Sequence, residues 1–278
     1  MPSADFEPTS PPEGERIGAR DLGEWRSATG RFVVRVIGAT TAVLSRGLRW
    51  SLANLALVLT VGIGLALVWG FTEVSAEVYE DVMDRDGIAL VDQPVLDAAV
   101  RARTPLTAQL ATDFTDIGGK VAMPVITVVA AVAIALAWRR WTPVILMAIA
   151  SGGSLLMTVT GKELTGRARP PQSLAVPPFE TSASFPSGHT LNATVVLGLT
   201  AYLLVIWLRR KRWRTLVIVV AGVLVVAMGL SRVFLGHHWL TDVIAGWAIG
   251  LGWLASVITG HRVMITLGRR PRPDSPAG

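Results

Sequence analysis

Cysteine is absent from this 278-residue chain. That excludes disulfides, thiolate zinc sites and a cysteine nucleophile. Lysine is nearly as scarce, with only Lys120, Lys162 and Lys211 among 26 basic residues. Charge as a whole is thin: 17% of residues are charged and 51% are hydrophobic, where a soluble domain carries roughly a quarter charged. An ordinary soluble domain is therefore excluded. No repeat of fixed period runs along the chain, so a transporter-like internal duplication is not indicated. The net charge of +6 would admit nucleic acid as a partner, but the basic residues gather in short tracts beside apolar runs. That is the positive-inside pattern of a membrane protein, and nucleic acid is set aside.

What the chain has in place of charge is a series of apolar runs near the roughly 20 residues that cross a bilayer as helix. They fall at about 52–71, 121–138, 142–160, 189–208, 215–234 and 239–258. The expected fold is all-α, a polytopic membrane protein of six transmembrane helices. Residues 1–50 are expected to form a cytoplasmic tail, rich in Pro, Glu and Ser up to about residue 30 and so disordered there, with no cleaved signal peptide. Over Arg31 to Trp50 two readings stand side by side, a basic interfacial helix and a solvated cytosolic tail with some helix. Residues 51–260 then form the membrane domain and 261–278 a second cytoplasmic tail. The acidic section from Thr72 to Lys120 carries Val91, Val95, Leu96 and Val100, then Leu106, Leu110 and Phe114, at near-helical spacing. One or two short helices lying on the membrane surface are expected in this first outward connection.

Six spans return both termini to one side. The basic tracts at 31–49, 139–140, 209–214 and 262–272 fall on that side, which makes the termini cytoplasmic and turns the motif-bearing connections outward. An arginine-, alanine- and valine-rich composition points to a bacterial inner membrane.

Three polar sets lie in the outward connections. Lys162 and Arg169 are seven residues apart, a spacing that on a helix puts both cations on one face, suited to a phosphate. Taken alone they also fit snorkelling cations at a membrane surface. Ser187, Gly188 and His189 precede an apolar run. A helix N-terminus there offers free N–H groups and the Ser187 hydroxyl to an anion, and His189 can protonate a leaving oxygen. A plain helix cap by Ser187 accounts for the same residues. In the third set Arg232 stands six residues before His238, and Asp242 four after it. If His238 opens a helix, Asp242 lies one turn on and can hold one imidazole nitrogen protonated, leaving the other as nucleophile. His237 is out of register for that pairing.

Together these residues form a phosphate pocket with a nucleophile and an acid. The expected reaction is displacement on phosphorus: His238 attacks, His189 protonates the leaving oxygen, and water hydrolyses the phosphohistidine. A metal site built from His189, His238 and Asp242 is the physical rival. Arg167 and Lys120 are read as solvated surface charges.

The three sets resemble the signature of the type-2 phosphatidic-acid phosphatase family, lipid-phosphate phosphatases that share a core with vanadium haloperoxidases. That signature reads here as Lys162 to Arg169-Pro170, Pro186-Ser187-Gly188-His189, and Ser231-Arg232 to His238 and Asp242. The resemblance implies that Lys162, Arg169, Arg232, Ser187 and Gly188 bind phosphate, that His238 is the nucleophile with Asp242 its partner, and that His189 is the acid. It implies no metal and no cofactor. The expected substrate is a lipid phosphate in the bilayer, with undecaprenyl diphosphate first and phosphatidic acid or phosphatidylglycerophosphate second. Phosphotransfer to another lipid or a sugar, and non-catalytic binding or transport, are the competing functions.

Overall fold

The structure, a computed structural model, describes residues 16–17, 20–21, 32–33, 35–41, 43–45 and 54–268. The chain divides into two compact units, residues 1–58 and 59–278. In the first, Arg16–Ile17 and Arg20–Asp21 pair as two-residue antiparallel strands, β1 and β2. Residues 32–33, 35–41 and 43–45 are helical, within the stretch where both readings include helix. The rest of the N-terminal tail and the segment after Gly268 lie outside the described residues.

Eight helices follow: α1 (Leu55–Asp84), α2 (Asp92–Arg101), α3 (Pro105–Asp116), α4 (Ala122–Trp138), α5 (Thr142–Thr165), α6 (Gly188–Trp207), α7 (Lys211–Phe234) and α8 (Leu240–Gly268). Five of them, α1, α5, α6, α7 and α8, are long and apolar enough to cross a membrane. The sixth expected span is α4, which has only 17 residues, about 26 Å of helix against roughly 30 Å of hydrocarbon. It is cut short where Arg139 turns left-handed, at φ 54°.

The long helices overrun their apolar cores. α1 continues past Phe71 to Asp84 because no glycine or proline interrupts Thr72 to Asp84. Val78 and Val82 on this extension are buried against Phe185 and Ala245, so packing holds the extra turns. α5 likewise runs past the expected span end at residue 160, to Thr165. α8 runs to Gly268 and takes in His261, which is buried and bonded to the Tyr202 hydroxyl at 2.9 Å. The connection between α1 and α4 holds two short helices, within the expected one or two. α3 opens on a capping box between Thr104 and Thr107 with Pro105 at its first turn. Leu96 on α2 is fully buried, whereas Leu106 and Leu110 on α3 are exposed.

α6 is the central helix. Leu191, Val195, Leu199 and Leu203 repeat every fourth residue and are fully buried against α4, α5 and α8. Ala193 and Val196 on another face meet Met123 of α4 and Met228 of α7. Lipid is as apolar as these side chains, so helix association depends on close packing, and small residues mark the tightest crossings. Gly250 of α8 is such a crossing. A Cβ there would lie 2.9 Å from the Thr194 side chain and 3.3 Å from the Leu191 carbonyl oxygen.

Gly250→Leu should therefore cost about 1–3 kcal/mol through overpacking and lower the thermal midpoint in detergent. Gly260→Ala, where a Cβ meets nothing within 4 Å, should leave the midpoint unchanged or raise it. Equal effects at the two positions would refute this account of the α6–α8 crossing.

Candidate active site

The first polar set is assembled by a turn. α5 ends at Thr165, and Gly166 at φ +55° reverses the chain. Arg169 therefore lies beyond the helix, and the expected shared helix face with Lys162 does not exist. The two cations converge from different backbone directions on the same loop. Lys162 donates to the Ser182 hydroxyl at 3.3 Å and to the Ala183 carbonyl. Arg169 donates to the Ser182 carbonyl at 2.7 Å and to the Ser182 hydroxyl at 3.1 Å.

The second set opens α6. Ser187 occupies the N-cap position and is fully buried, but its hydroxyl caps no backbone amide; it accepts from the Thr190 hydroxyl at 2.9 Å. Its own N–H donates to the Asp242 carbonyl at 3.0 Å, which ties the start of α6 to α8. The first-turn amides of α6 have no intrahelical partner.

The third set bridges α7 and α8. Gly236 at φ +73° turns the chain after α7, and the amides of His237 and His238 both return to the Arg232 carbonyl. α8 begins at Leu240, so His238 stands two residues before it. The expected pairing still forms, with His238 Nδ1 3.3 Å from Asp242 Oδ2. Arg169 Nη1 lies 3.2 Å from His238 Nε2. Guanidinium can only donate, so Nε2 carries a lone pair and Nδ1 the proton. His237 faces the other way, bonded to the Val176 carbonyl at 2.6 Å.

Four further residues belong to the site. Glu180 bridges the arginines: Oε2 accepts from Arg169 at 3.1 Å and Oε1 accepts from Arg232. Ser184 donates to Asp242 Oδ2 and lies 3.4 Å from His238 Nδ1. Arg167, read from sequence as a surface charge, is instead mostly buried and donates to Asp242 Oδ1 at 2.5 Å and to Asp92 Oδ2 at 2.6 Å. Asp92 sits at the start of α2. These acids and the serine stand in no motif spacing. The one available signal was that Arg167 is adjacent in sequence to the Lys162–Arg169 set.

Burial sets the charge states. His238 is pushed down to about 4 by burial, with its Asp242 bond opposing and the Arg169 and Arg232 charges adding to the fall. Burial alone would raise Glu180, but Arg232 and Arg169 outweigh it and hold the carboxyl at about 2. Beside this polar cluster runs an apolar cavity of about 760 Å³. Lys162, Glu180, His189 and His238 line its polar part, and Val128, Val132 and Leu155 of α4 and α5 line its apolar part.

Known proteins resemble this chain in sequence and fold. The profile of the PAP2 superfamily matches residues 140–263. Phosphatidylglycerophosphatase B of Bacillus subtilis (strain 168) is 34% identical over 168 residues, 60% of this chain and 81% of that protein. Undecaprenyl-diphosphatase of Sulfolobus acidocaldarius is 37% identical over 81 residues, 28% of this chain and 33% of that one. The crystal structure of a transmembrane PAP2 type phosphatidylglycerolphosphate phosphatase from Bacillus subtilis superposes with a TM-score of 0.62 at 28% identity, covering 72% of this chain and 96% of that chain.

Because burial disfavours the charged ring, His238 should be neutral near neutral pH, with its proton on Nδ1, and should protonate only near pH 4. Nitrogen NMR of histidine-labelled protein, assigned by His238→Ala, measures this. Titration of His238 near the unperturbed 6.5 would contradict the geometry.

Proposed function

The chain belongs to the PAP2 superfamily and is a membrane lipid phosphatase, and on that premise we propose that it hydrolyses its substrate through a phosphohistidine on His238. The observation that carries this reading is the unprotonated Nε2 of His238, turned to the Arg169 guanidinium at 3.2 Å, with Nδ1 turned to Asp242. Lys162, Arg169 and Arg232 hold the phosphoryl oxygens, with Ser187 and Gly188 at the open N-terminus of α6. Glu180 gives up both arginines as the phosphate arrives. Nε2 attacks phosphorus in line, and Asp242 takes up the growing charge on the ring through Nδ1–H. His189 protonates the leaving oxygen. It then takes a proton from the water that breaks the P–N bond and releases phosphate.

The apolar cavity takes the lipid tail, reached sideways from the bilayer between α4 and α5. Phosphatidylglycerophosphate is the first substrate on this reading, supported by the relative matched over most of its length. Undecaprenyl diphosphate is the second, and Lys120 on the cavity lining favours it as a contact for a further phosphate. On this reading the reaction needs no metal ion, because Lys162, Arg169 and Arg232 around the pocket would repel a divalent cation. The basic tracts support cytoplasmic termini and an outward-facing site in a bacterial inner membrane.

Phosphate release by the detergent-purified protein, in excess EDTA, should occur with one or more of phosphatidylglycerophosphate, undecaprenyl diphosphate and phosphatidic acid. His238→Ala should reduce it by on the order of a thousandfold or more. In heavy-oxygen water the released phosphate should carry label. Release abolished by EDTA, or retained in His238→Ala, would overturn the mechanism. Unlabelled phosphate, with the group found on a second lipid, would make the enzyme a transferase.

A further inference from the structure

Both carboxylate oxygens of Asp242 are engaged. Oδ2 takes the Ser184 hydroxyl, the Trp239 amide at 2.9 Å and His238 Nδ1 at 3.3 Å. Oδ1 takes Arg167 Nη1 at 2.5 Å. The same guanidinium nitrogen reaches the Thr241 hydroxyl at 2.7 Å, and Nη2 reaches Asp92 Oδ2 at 2.6 Å. Asp92 in turn accepts from the Thr241 amide at 2.9 Å and the Thr241 hydroxyl at 2.6 Å. The guanidinium also lies over the Trp239 ring, 5.8 Å from its centre. Arg167 is thus bonded to the start of α8 and the start of α2, and it lines a separate cavity with Asp92 and Trp239, not the one that holds Lys162 and His238.

From this we infer that Arg167 and Asp92 are positioning residues for the reaction: Arg167 neutralises and orients Asp242 from behind, and Asp92 fixes Arg167. The inference rests on the phosphatase reading of the site. While His238 is neutral, Asp242 is a buried anion, and its nearest fixed cation is Arg167. An uncompensated buried carboxylate takes up a proton or moves toward water, and His238 then loses either the charge or the contact that holds its Nδ1 proton. Asp92 has a second effect. By sharing Arg167 it leaves part of the Asp242 charge to act on His238. The first outward connection, through α2, thereby becomes part of the catalytic support by way of Arg167, while its α3 reaches a phosphate-binding cation directly, the Thr115 hydroxyl accepting from Arg232 at 3.4 Å.

The role predicts a division between kcat and KM that a phosphate ligand would not give. Arg167→Gln should lower kcat about 10–100-fold, the range for residues that orient a catalytic group. KM for the lipid and the inhibition constant of inorganic phosphate should stay within about twofold. Arg167→Lys should recover part of kcat, since the charge returns without the two-pronged geometry. Asp92→Asn should lower kcat in the wild-type background yet add no further loss to Arg167→Gln, because the two act along one path. Lys162→Ala should do the opposite of Arg167→Gln and raise KM. Thermal midpoints of all variants guard against misfolding, and the two conservative changes keep the test open if Arg167→Gln does not fold. A rise in KM with kcat unchanged would make Arg167 a phosphate ligand. Wild-type rates in Arg167→Gln, or additive losses in the double variant, would also overturn the positioning role while leaving the phosphatase reading intact. No phosphate release by the wild type would overturn both.

Discussion

A carboxylate with none of its surface exposed has to be neutralised where it stands, and Asp242 is such a group. Its donors come from three places: the loop before α6 (Ser184), the turn into α8 (His238 and the Trp239 amide) and the turn after α5 (Arg167), which is itself held by the carboxylate of Asp92 at the start of α2. The Ser187 amide is tied to the backbone carbonyl of the same residue. Satisfying one anion therefore sets the mutual positions of three motif segments far apart in sequence. The geometry around His238 is a by-product of that requirement: once Asp242 is held, one imidazole nitrogen is turned inward and the other faces the cations.

The surrounding helices are built for a solvent that gives little reward for apolar burial. α6 is gripped on several sides by leucines, valines and small residues. α4 is shorter, and Val128 and Val132 on it face the cavity. That difference leaves room between α4 and α5. A lipid tail moving from bilayer into this space changes one apolar environment for another, so it contributes little to affinity. Recognition then falls on the headgroup, and discrimination between lipid phosphates rests on where the cations stand.

What was legible in the sequence follows from range. The spans were readable because length and apolarity are local properties. Their ends were less so: α1, α5 and α8 run on past their apolar cores, since a helix stops at a breaker or for want of packing and not where hydropathy falls. The motif residues were readable because ionisable groups at span ends are costly and therefore rare. Lys162 and Arg169 were correctly paired for an incorrect reason, the turn at Gly166 doing what a helix face was expected to do. Arg167 was misread because its partners Asp92 and Asp242 each lie 75 residues away. Glu180 had no signal at all, being one acid in a loop, and only the tertiary fold brings it between two arginines.

Glu180 also constrains how the pocket fills. Its two oxygens occupy one nitrogen each of Arg169 and Arg232, positions a phosphoryl group would claim on the proposed reading. The carboxyl is held at about 2, so near neutral pH it does not leave by taking a proton; it has to swing away as an anion. The freedom for that swing is limited, because Ser182, Ala183 and Ser184 just after it are bonded to Lys162, Arg169 and Asp242. A ligand that displaces Glu180 must offer the arginines more than one carboxylate does. A phosphate dianion does so, with twice the charge and a third oxygen for Lys162, whereas a carboxylate ligand or a phosphodiester with one charge offers no net gain. On the proposed reading, the resting ion pairs select a terminal phosphate before the chemistry begins.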